Sequence, residues 1–370
     1  MSALPTVEVF RRFVVEEYER HAAEIEASGQ VPPALRRRLA QFGALRLTVP
    51  VEYGGFGLGL VEALPYLEAA GMGHGSGRML VHVSNGLWRS LAGYGTAEQR
   101  ALVAAMADGR ATVALAVTER QGGGGRDLHS RAARQPGGWR LDGEKHLITF
   151  GEVADWFLLL AATDDRGASD SFSMFVVPRG APGLEVTAQP LMGLAGTGIA
   201  SLRFAGLEVD DAAMLGKPGE GLAVAGAFLD YSRVSLSACM VGLAQRALDE
   251  SIGFAKARVT FGRPLAERQA IQMHLASMHA DVSAARALVR QVAERFRRGE
   301  RVSTEAATVK LFCADMVGRV TDLALRAHGG LGYAKERPME RIYREARAYW
   351  FEEGTAEVQQ LLIARRLLAG

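Results

Sequence analysis

The sequence predicts an α+β multidomain protein: a helical N-terminal domain over 1–111, a central antiparallel, β-barrel-like domain over 112–215, and a C-terminal helical bundle over 216–370. Three observations carry this. Apolar residues recur at helical spacing up to about residue 107, short apolar runs bounded by turn residues follow from 112, and helical spacing returns at Gly221. A chain of 370 residues accommodates about two or three domains.

Val7, Phe10, Phe13 and Val14 open the first helix, with Glu16, Glu17 and Glu19 beside them. Pro32-Pro33 starts a second, whose Leu35, Leu39 and Phe42 share a face. The glycine-rich stretch 54–59 reads as a loop, and further helices fit 61–71, 79–92 and 97–107. Strands are expected at 111–117, 156–161, 172–177, 184–187 and 201–209, and hairpin character is expected around Asp142-Gly143. No helix of useful length interrupts 139–209, which favours an antiparallel sheet over a βαβ unit. Helices then fit 221–256, 265–298, 304–328 and 355–368.

Composition narrows the function. A net charge of +2 lacks the basic excess of a nucleic-acid protein, and a 48% hydrophobic content argues against disorder. Cys239 and Cys313 are too few for a disulfide scaffold or a four-cysteine zinc site. The apolar run Phe157 to Ala162 is far short of a membrane span, and the N-terminus lacks a signal pattern, so a cytoplasmic protein is expected. Gly196-Thr197-Gly198 leads into a strand rather than a helix, which disfavours a Rossmann dinucleotide fold. No Walker A, His-Glu-x-x-His or Gly-x-Ser-x-Gly motif occurs. His74 with His82, and His274 with His279, read as ordinary helix-surface pairs, and no metal is expected.

Four separated segments point to chemistry. They are Val117-Thr118-Glu119 with the glycines 122–125 and Arg126-Asp127; Ile148-Thr149-Phe150-Gly151; Arg258-Val259-Thr260-Phe261-Gly262 continuing to Gln269; and His328-Gly329-Gly330 running through Glu353-Gly354-Thr355. Read without context, Thr118 and Thr149 are ordinary β-branched strand residues, the glycine run is a surface turn, and Glu352 and Glu353 are helix N-terminal acids. In this order and spacing, on an α–β–α layout, the segments resemble the acyl-CoA dehydrogenase family of flavoproteins over about 50–370.

The resemblance implies FAD as cofactor and a C-terminal four-helix bundle. It places Val117, Thr118, Ile148 and Thr149 at the flavin. Gly124 and Gly125 would leave bare backbone for phosphates, with Arg126 standing where the family has a serine and able to pair with a pyrophosphate or substrate phosphate. Arg258, Thr260 and Phe261 would meet the dinucleotide, often across a subunit interface, the three-residue spacing of Arg258 and Phe261 suiting one helical face. Gln269, Arg326, Gly329, Gly330, Thr355 and Glu357 would complete the nucleotide pocket, although the family more often has glutamine at positions 326 and 357.

By the same resemblance Glu353 is the base, a carboxylate that burial would raise toward neutrality. Ser232, Arg233, Glu352, Gly354 and Arg365 are the accompanying substrate-site residues, with Arg233 otherwise a buried ion-pair partner. Glu352 replaces an aromatic neighbour of the base, and an extra carboxylate there would raise the base's pKa or contact a polar acyl group. Leu147 and Phe150 replace a common tryptophan and asparagine. The expected function is flavin-dependent α,β-dehydrogenation of an acyl thioester carried by CoA or an acyl carrier protein. An electron-transfer flavoprotein or another acceptor would reoxidise a homotetrameric or homodimeric enzyme. The alternatives are a flavin oxidase or oxygen-using hydroxylase, a carrier-protein-linked dehydrogenase of polyketide or peptide biosynthesis, and a non-catalytic flavin-binding scaffold.

Overall fold

A computed structural model describes residues 4–122, 128–164 and 169–369. Helices α1 (Val7–Arg12), α2 (Tyr18–Arg20) and α3 (Ala22–Ser28) run on through a π-helical stretch at Phe13–Glu17 and bury Phe10, Phe13, Val14 and Tyr18 on one side. Thr6 accepts from the Val9 amide to start this run, and left-handed Gly29 (φ +68°) ends it. Next come α4 (Pro33–Gln41), α5 (Leu60–Met72), α6 (Gly75–Tyr94) and α7 (Ala97–Ala107), the last opened by a Thr96–Gln99 capping box.

Two arginines tie the N-terminal helices to the far end of the chain. Arg341 donates to Glu19 at 2.6 Å and Arg344 donates to Glu26 at 2.7 Å. Burial pushes the Glu26 carboxyl up, but His74, 3.4 Å away, and the hydrogen bond and charge of Arg344 outweigh it and bring its pKa down to about 2. A carboxyl depressed in the folded state contributes stability above its unfolded pKa, and that contribution is lost as pH falls through the folded value. Urea-unfolding free energies should therefore fall between about pH 4.5 and 2 more steeply in wild type than in Glu26→Gln. Parallel curves would show that Glu26 is not so coupled.

The middle segment contains β1 (Val113–Ala116), β2 (Arg131–Gln135), β3 (Gly138–Ile148), β4 (Trp156–Ala162), β5 (Phe172–Pro178), β6 (Leu184–Ala188), β7 (Ala200–Asp210) and β8 (Met214–Leu215). Seven of these follow the sheet order β6-β7-β3-β2-β4-β5-β8, with β1 beside β4. Pairing is mainly antiparallel, as expected, but β1 runs parallel to β4 and β2 meets β4 at a parallel bridge, Arg131 with Ala162. The β1–β4 start is pinned by Asp155, which accepts from the Thr112 amide at 2.7 Å while its own amide donates to Thr112 O. β4 and β5 are continuously apolar because both faces of the sheet are covered. Leu159, Ala161, Phe175 and Val177 join the main core; Leu158, Leu160, Met174 and Val176 join a second core with Leu87, Leu91 and Phe228.

The expected hairpin at Asp142-Gly143 does not form. β3 runs straight through it, and the chain reverses instead between Gln135 and Gly138. Gly143 sits at a register shift between β3 and β7, with φ +151° and Ser130 so close that a Cβ would lie 2.8 Å from its Cα. The glycine marks a bulge and a close approach rather than a turn.

Helical structure resumes with α8 (Gly221–Gly226) and α9 (Leu229–Ala257), a broken pair where one helix was expected. A two-residue hairpin, β9 (Val259–Thr260) and β10 (Arg263–Pro264), follows. Then come α10 (Gln269–Arg297), α11 (Ser303–His328), α12 (Gly330–Tyr333), α13 (Met339–Ala348) and α14 (Ala356–Leu368). α9, α10, α11 and α14 make the C-terminal bundle, and α5 crosses α9 at glycine contacts. A Cβ on Gly242 would lie 1.9 Å from Glu68 O, and one on Gly71 would lie 2.1 Å from Cys239 O. Among the described residues no helix is long and apolar enough to cross a membrane.

Candidate active site

Between α13 and α14 the chain turns through residues 349–355. Thr355 N-caps α14 by accepting from the Val358 amide, so Glu352 and Glu353 precede that helix rather than sit in its first turn. Glu353 (φ +55°) and Gly354 (φ +92°) are both left-handed. For a glutamate this conformation costs on the order of 1 kcal/mol or more and needs support from its surroundings. The support comes from beneath. Gln359 Nε2 donates to Glu353 O at 3.0 Å and Gly354 O at 3.2 Å, and Lys310 Nζ donates to Gly354 O at 2.7 Å and Trp350 O at 3.3 Å. Both side chains are fully buried. Burial pulls the Lys310 ammonium down to about 8, against the opposing charges of Glu352 and Glu353.

The Glu353 carboxylate faces α6 and α9. Ser232 Oγ donates to its Oε1 at 2.8 Å, and His82 Nε2 lies 3.4 Å from that oxygen and 3.1 Å from Ser232 Oγ. Ser235 Oγ lies 3.3 Å from His82 Nδ1. Burial pushes the Glu353 carboxyl up, as the sequence led us to expect. The His82 and Ser232 hydrogen bonds and the charges of His82 and Arg233 win, however, and its pKa lies below the ordinary glutamate value. The expectation of a base raised toward neutrality is thus corrected for the free protein: specific donors outweigh desolvation.

Glu352 is also corrected. Its carboxylate is held bidentately by Arg78, at 2.6 and 2.9 Å, and that guanidinium lies 4.6 Å from the Tyr349 ring centre. Its charge is therefore neutralised locally and is not free to raise the base or meet a polar acyl group. Arg233 is buried and paired with Asp230 at 3.1 Å, and Ser303 donates to the other Asp230 oxygen. Ser232, Arg233, Gly354 and Glu353 are thus brought together, while Arg365 and Glu357 lie exposed on α14.

Val117-Thr118 directly follow β1 and Ile148-Thr149 lie at the close of β3, and the structure stitches these ends together. The His146 amide donates to Thr118 O at 2.8 Å and Lys145 Nζ donates to Val117 O at 3.1 Å. Lys145 also pairs with buried Glu119 at 2.8 Å, whose carboxylate accepts from the His129 and Ser130 amides at 2.6 and 3.0 Å. Left-handed Leu147 (φ 55°) and Phe150 (φ 64°) flank Ile148-Thr149, where β3 closes its pairing with β7 at Ile148–Ala200 after a register shift. Both threonines are half-buried, with hydroxyls that make no hydrogen bond among the described residues. Such strand ends offer donors and bare backbone to a flat heterocycle. Gly124, Gly125 and Arg126 lie outside the described residues.

The third segment departs from expectation. α9 stops at Ala257, so Arg258 and Phe261 share no helical face. They belong to the β9–β10 hairpin, whose tip is left-handed Phe261-Gly262, with Phe261 97% exposed. The Arg263-Pro264 pair cannot continue a helix and favours this reversal. Arg268 donates to Thr260 O at 2.6 Å and braces the hairpin. Exposed Arg258 and Gln269, Arg326 (paired with Asp322 at 2.9 Å), Gly329 and Gly330 gather at this same end of the bundle. A cleft of about 560 Å³ there is lined by Arg258, Phe254, Leu331 and Arg337 among others.

Four residues of the Glu353 site escaped the sequence reading: His82, Arg78, Lys310 and Gln359. His74 and His82 are buried, not helix-surface residues. The available signal was the polar content of an otherwise apolar stripe on α6, where Arg78, His82 and Asn85 share the buried face.

Residues 6–110, 114–207 and 219–368 match, in turn, the N-terminal, middle and C-terminal domain families of acyl-CoA dehydrogenase. The chain is 34% identical to an acyl-CoA dehydrogenase of Bacillus subtilis (strain 168), over 98% of each protein. Its fold is similar to butyryl-CoA dehydrogenase from Megasphaera elsdenii, with a TM-score of 0.92 and 26% identity over 100% of both chains. It is also similar to the prolyl acyl carrier protein oxidase AnaB, with a TM-score of 0.89 and 25% identity over 99% of this chain and 100% of that one.

Proposed function

This chain belongs to the acyl-CoA dehydrogenase family, an oxidoreductase acting on CH–CH groups with FAD as cofactor, and we propose that Glu353 is the base that opens the reaction on an acyl thioester. The observation that carries this is the state of its carboxylate. Among the described charges, Arg78 is committed to Glu352, Arg233 to Asp230 and Lys310 to main-chain carbonyls. Glu353 Oε1 is held by Ser232, while Oε2 makes no hydrogen bond among the described residues. Oε2 is then the atom that takes the α-proton, on a side chain only 17% exposed. FAD, when bound, accepts the β-hydride. Val117-Thr118 and Ile148-Thr149 orient it, and the buried setting of Glu353 limits competition from water.

The nucleotide part of the site is proposed to be shared between subunits of a homodimer or homotetramer. Ser232 and Arg258 stand 26 residues apart along α9, about 39 Å at 1.5 Å per residue. One dinucleotide does not bridge that span, which supports the reading that the Arg258–Phe261 hairpin serves another copy's flavin. Phe261→Ala and Arg258→Ala should leave the circular-dichroism spectrum and subunit stability within about 0.5 kcal/mol of wild type, as for exposed positions. FAD occupancy after gel filtration should fall. Unchanged occupancy in both variants would remove the hairpin from the cofactor site.

The function is tested by anaerobic titration with a panel of acyl-CoA and acyl-carrier-protein thioesters, following loss of flavin colour. Bleaching by at least one thioester is expected, and its absence across the panel would overturn the reading. The similarity to AnaB favours a second reading, a carrier-protein-tethered acyl group with oxygen as acceptor. Faster bleaching by carrier-protein thioesters, and reoxidation by air without an electron-transfer flavoprotein, would select it.

A further inference from the structure

The stretch that follows β1 has its acceptors spent and its donors free. Val117 O accepts from Lys145 Nζ at 3.1 Å, and Thr118 O accepts from the His146 amide at 2.8 Å. Two consecutive carbonyls are thus taken by two consecutive residues of β3. The amide and hydroxyl of Thr118, and those of Thr149 at the close of β3, make no hydrogen bond among the described residues. A carbonyl only accepts, so the Lys145 bond runs one way whatever the charge on its nitrogen. A strand end arranged like this presents N–H and O–H groups to a ligand edge rich in acceptors, such as the nitrogen and carbonyl edge of an isoalloxazine ring.

We propose that Lys145 is a positioning residue for the flavin: held by Glu119, it pins the Val117 carbonyl and so aims the Thr118 donors at the ring. This rests on the reading that Val117-Thr118 and Ile148-Thr149 orient the cofactor, since Lys145 acts only through that main chain. The Lys145 side chain is wholly buried, and its Nζ meets Val117 O and Glu119 Oε1, the latter at 2.8 Å. Glu119 is fixed in turn from beyond the glycine-rich stretch. Its carboxylate accepts from the His129 and Ser130 amides at 2.6 and 3.0 Å and from Ser130 Oγ at 2.6 Å. Burial pushes the Glu119 carboxyl up, but the charge of Lys145 and these hydrogen bonds win and hold it below the ordinary glutamate value. A buried ion pair adds little stability over apolar residues of the same volume. What apolar residues would not supply is a donor to Val117 O, and that bond is what ties the pair to the cofactor site.

The test uses the purified holoprotein without any substrate. Resonance Raman bands of bound FAD shift with the hydrogen bonds its ring accepts, and dilution with recovery of flavin fluorescence gives the FAD dissociation constant. In Lys145→Met the three other donors to Glu119 stay in place, while Val117 O loses its partner. The ring bands should move toward those of free FAD, and the dissociation constant should rise about tenfold, the worth of one hydrogen bond from a charged group. Bands at their wild-type positions in folded Lys145→Met overturn the proposal, whatever the dissociation constant. If Lys145→Met does not fold, Lys145→Met with Glu119→Gln, which leaves no unpaired buried charge, is read in the same way, and unshifted bands overturn it equally. Thr118→Val with Thr149→Val tests the underlying reading by itself. Unshifted bands in that variant remove the two strand ends from the flavin, whereas a shift there without one in Lys145→Met sinks the proposal alone.

Discussion

Glu353→Gln should slow anaerobic flavin bleaching by an active acyl thioester roughly a hundred- to ten-thousand-fold, the usual worth of a positioned general base. Glutamine is nearly isosteric and its amide oxygen still accepts from Ser232 Oγ, so the turn at Glu353-Gly354 should persist. Gln359 and Lys310 hold that turn through main-chain carbonyls, which the substitution leaves in place. FAD occupancy should therefore stay at the wild-type level. The loss should appear in the rate of bleaching measured by stopped flow rather than in cofactor content. Bleaching at the wild-type rate would remove Glu353 from the chemistry while leaving the family assignment intact.

The second large effect falls on stability. Arg78 is 2% exposed, and Glu352 is the one carboxylate that meets its guanidinium among the described residues. Glu352→Met strands that cation in the core, which should cost about 3–5 kcal/mol in urea unfolding, the price of an uncompensated buried charge. Arg78→Met with Glu352→Met should recover most of the loss, because paired burial of two ions is close to neutral against apolar replacements. Equal instability of the single and double variants would show that the pair is not the coupled unit. Since Glu352 adjoins Glu353, the single variant should also lose activity beyond what its stability explains, whereas the double variant should regain part of it.

Much of the architecture was legible because it rests on local periodicity. The helices over 97–107 and 304–328 and the apolar strands at 156–161 and 172–177 fall where spacing placed them, within a residue or two. The alternation inside β4 sends Leu158 and Leu159 into different cores, which is why a run of six buried residues reads as unpatterned in sequence. The misread places were those where a glycine or proline has two uses. Asp142-Gly143 has the composition of a tight turn but serves as a bulge under Ser130, and Arg258 to Phe261 has helical spacing but precedes Arg263-Pro264.

The candidate site divides along the same line. The motif around Glu353 was visible, because a contiguous stretch carries it, and so were Ser232 and Arg233, one turn into α9. His82 was not visible, since it reaches Glu353 across 271 residues of sequence, and Arg78 reaches Glu352 across 274. A contact of that separation leaves no periodic trace in either segment, and the polar stripe on α6 signals only that something buried must answer it.

The sequence by itself determined the order of helical, sheet and helical segments, the family, its cofactor and the candidate base. Those properties are encoded in residue spacing and in short motifs whose backbone geometry is local. Only the tertiary structure decided how the two acids differ. Glu352 is spent on Arg78, and Glu353 keeps one free oxygen beside Ser232 and His82. Ionisation depends on which charges and donors arrive through space, and adjacent carboxylates in sequence point to opposite partners once the chain turns left-handed between α13 and α14.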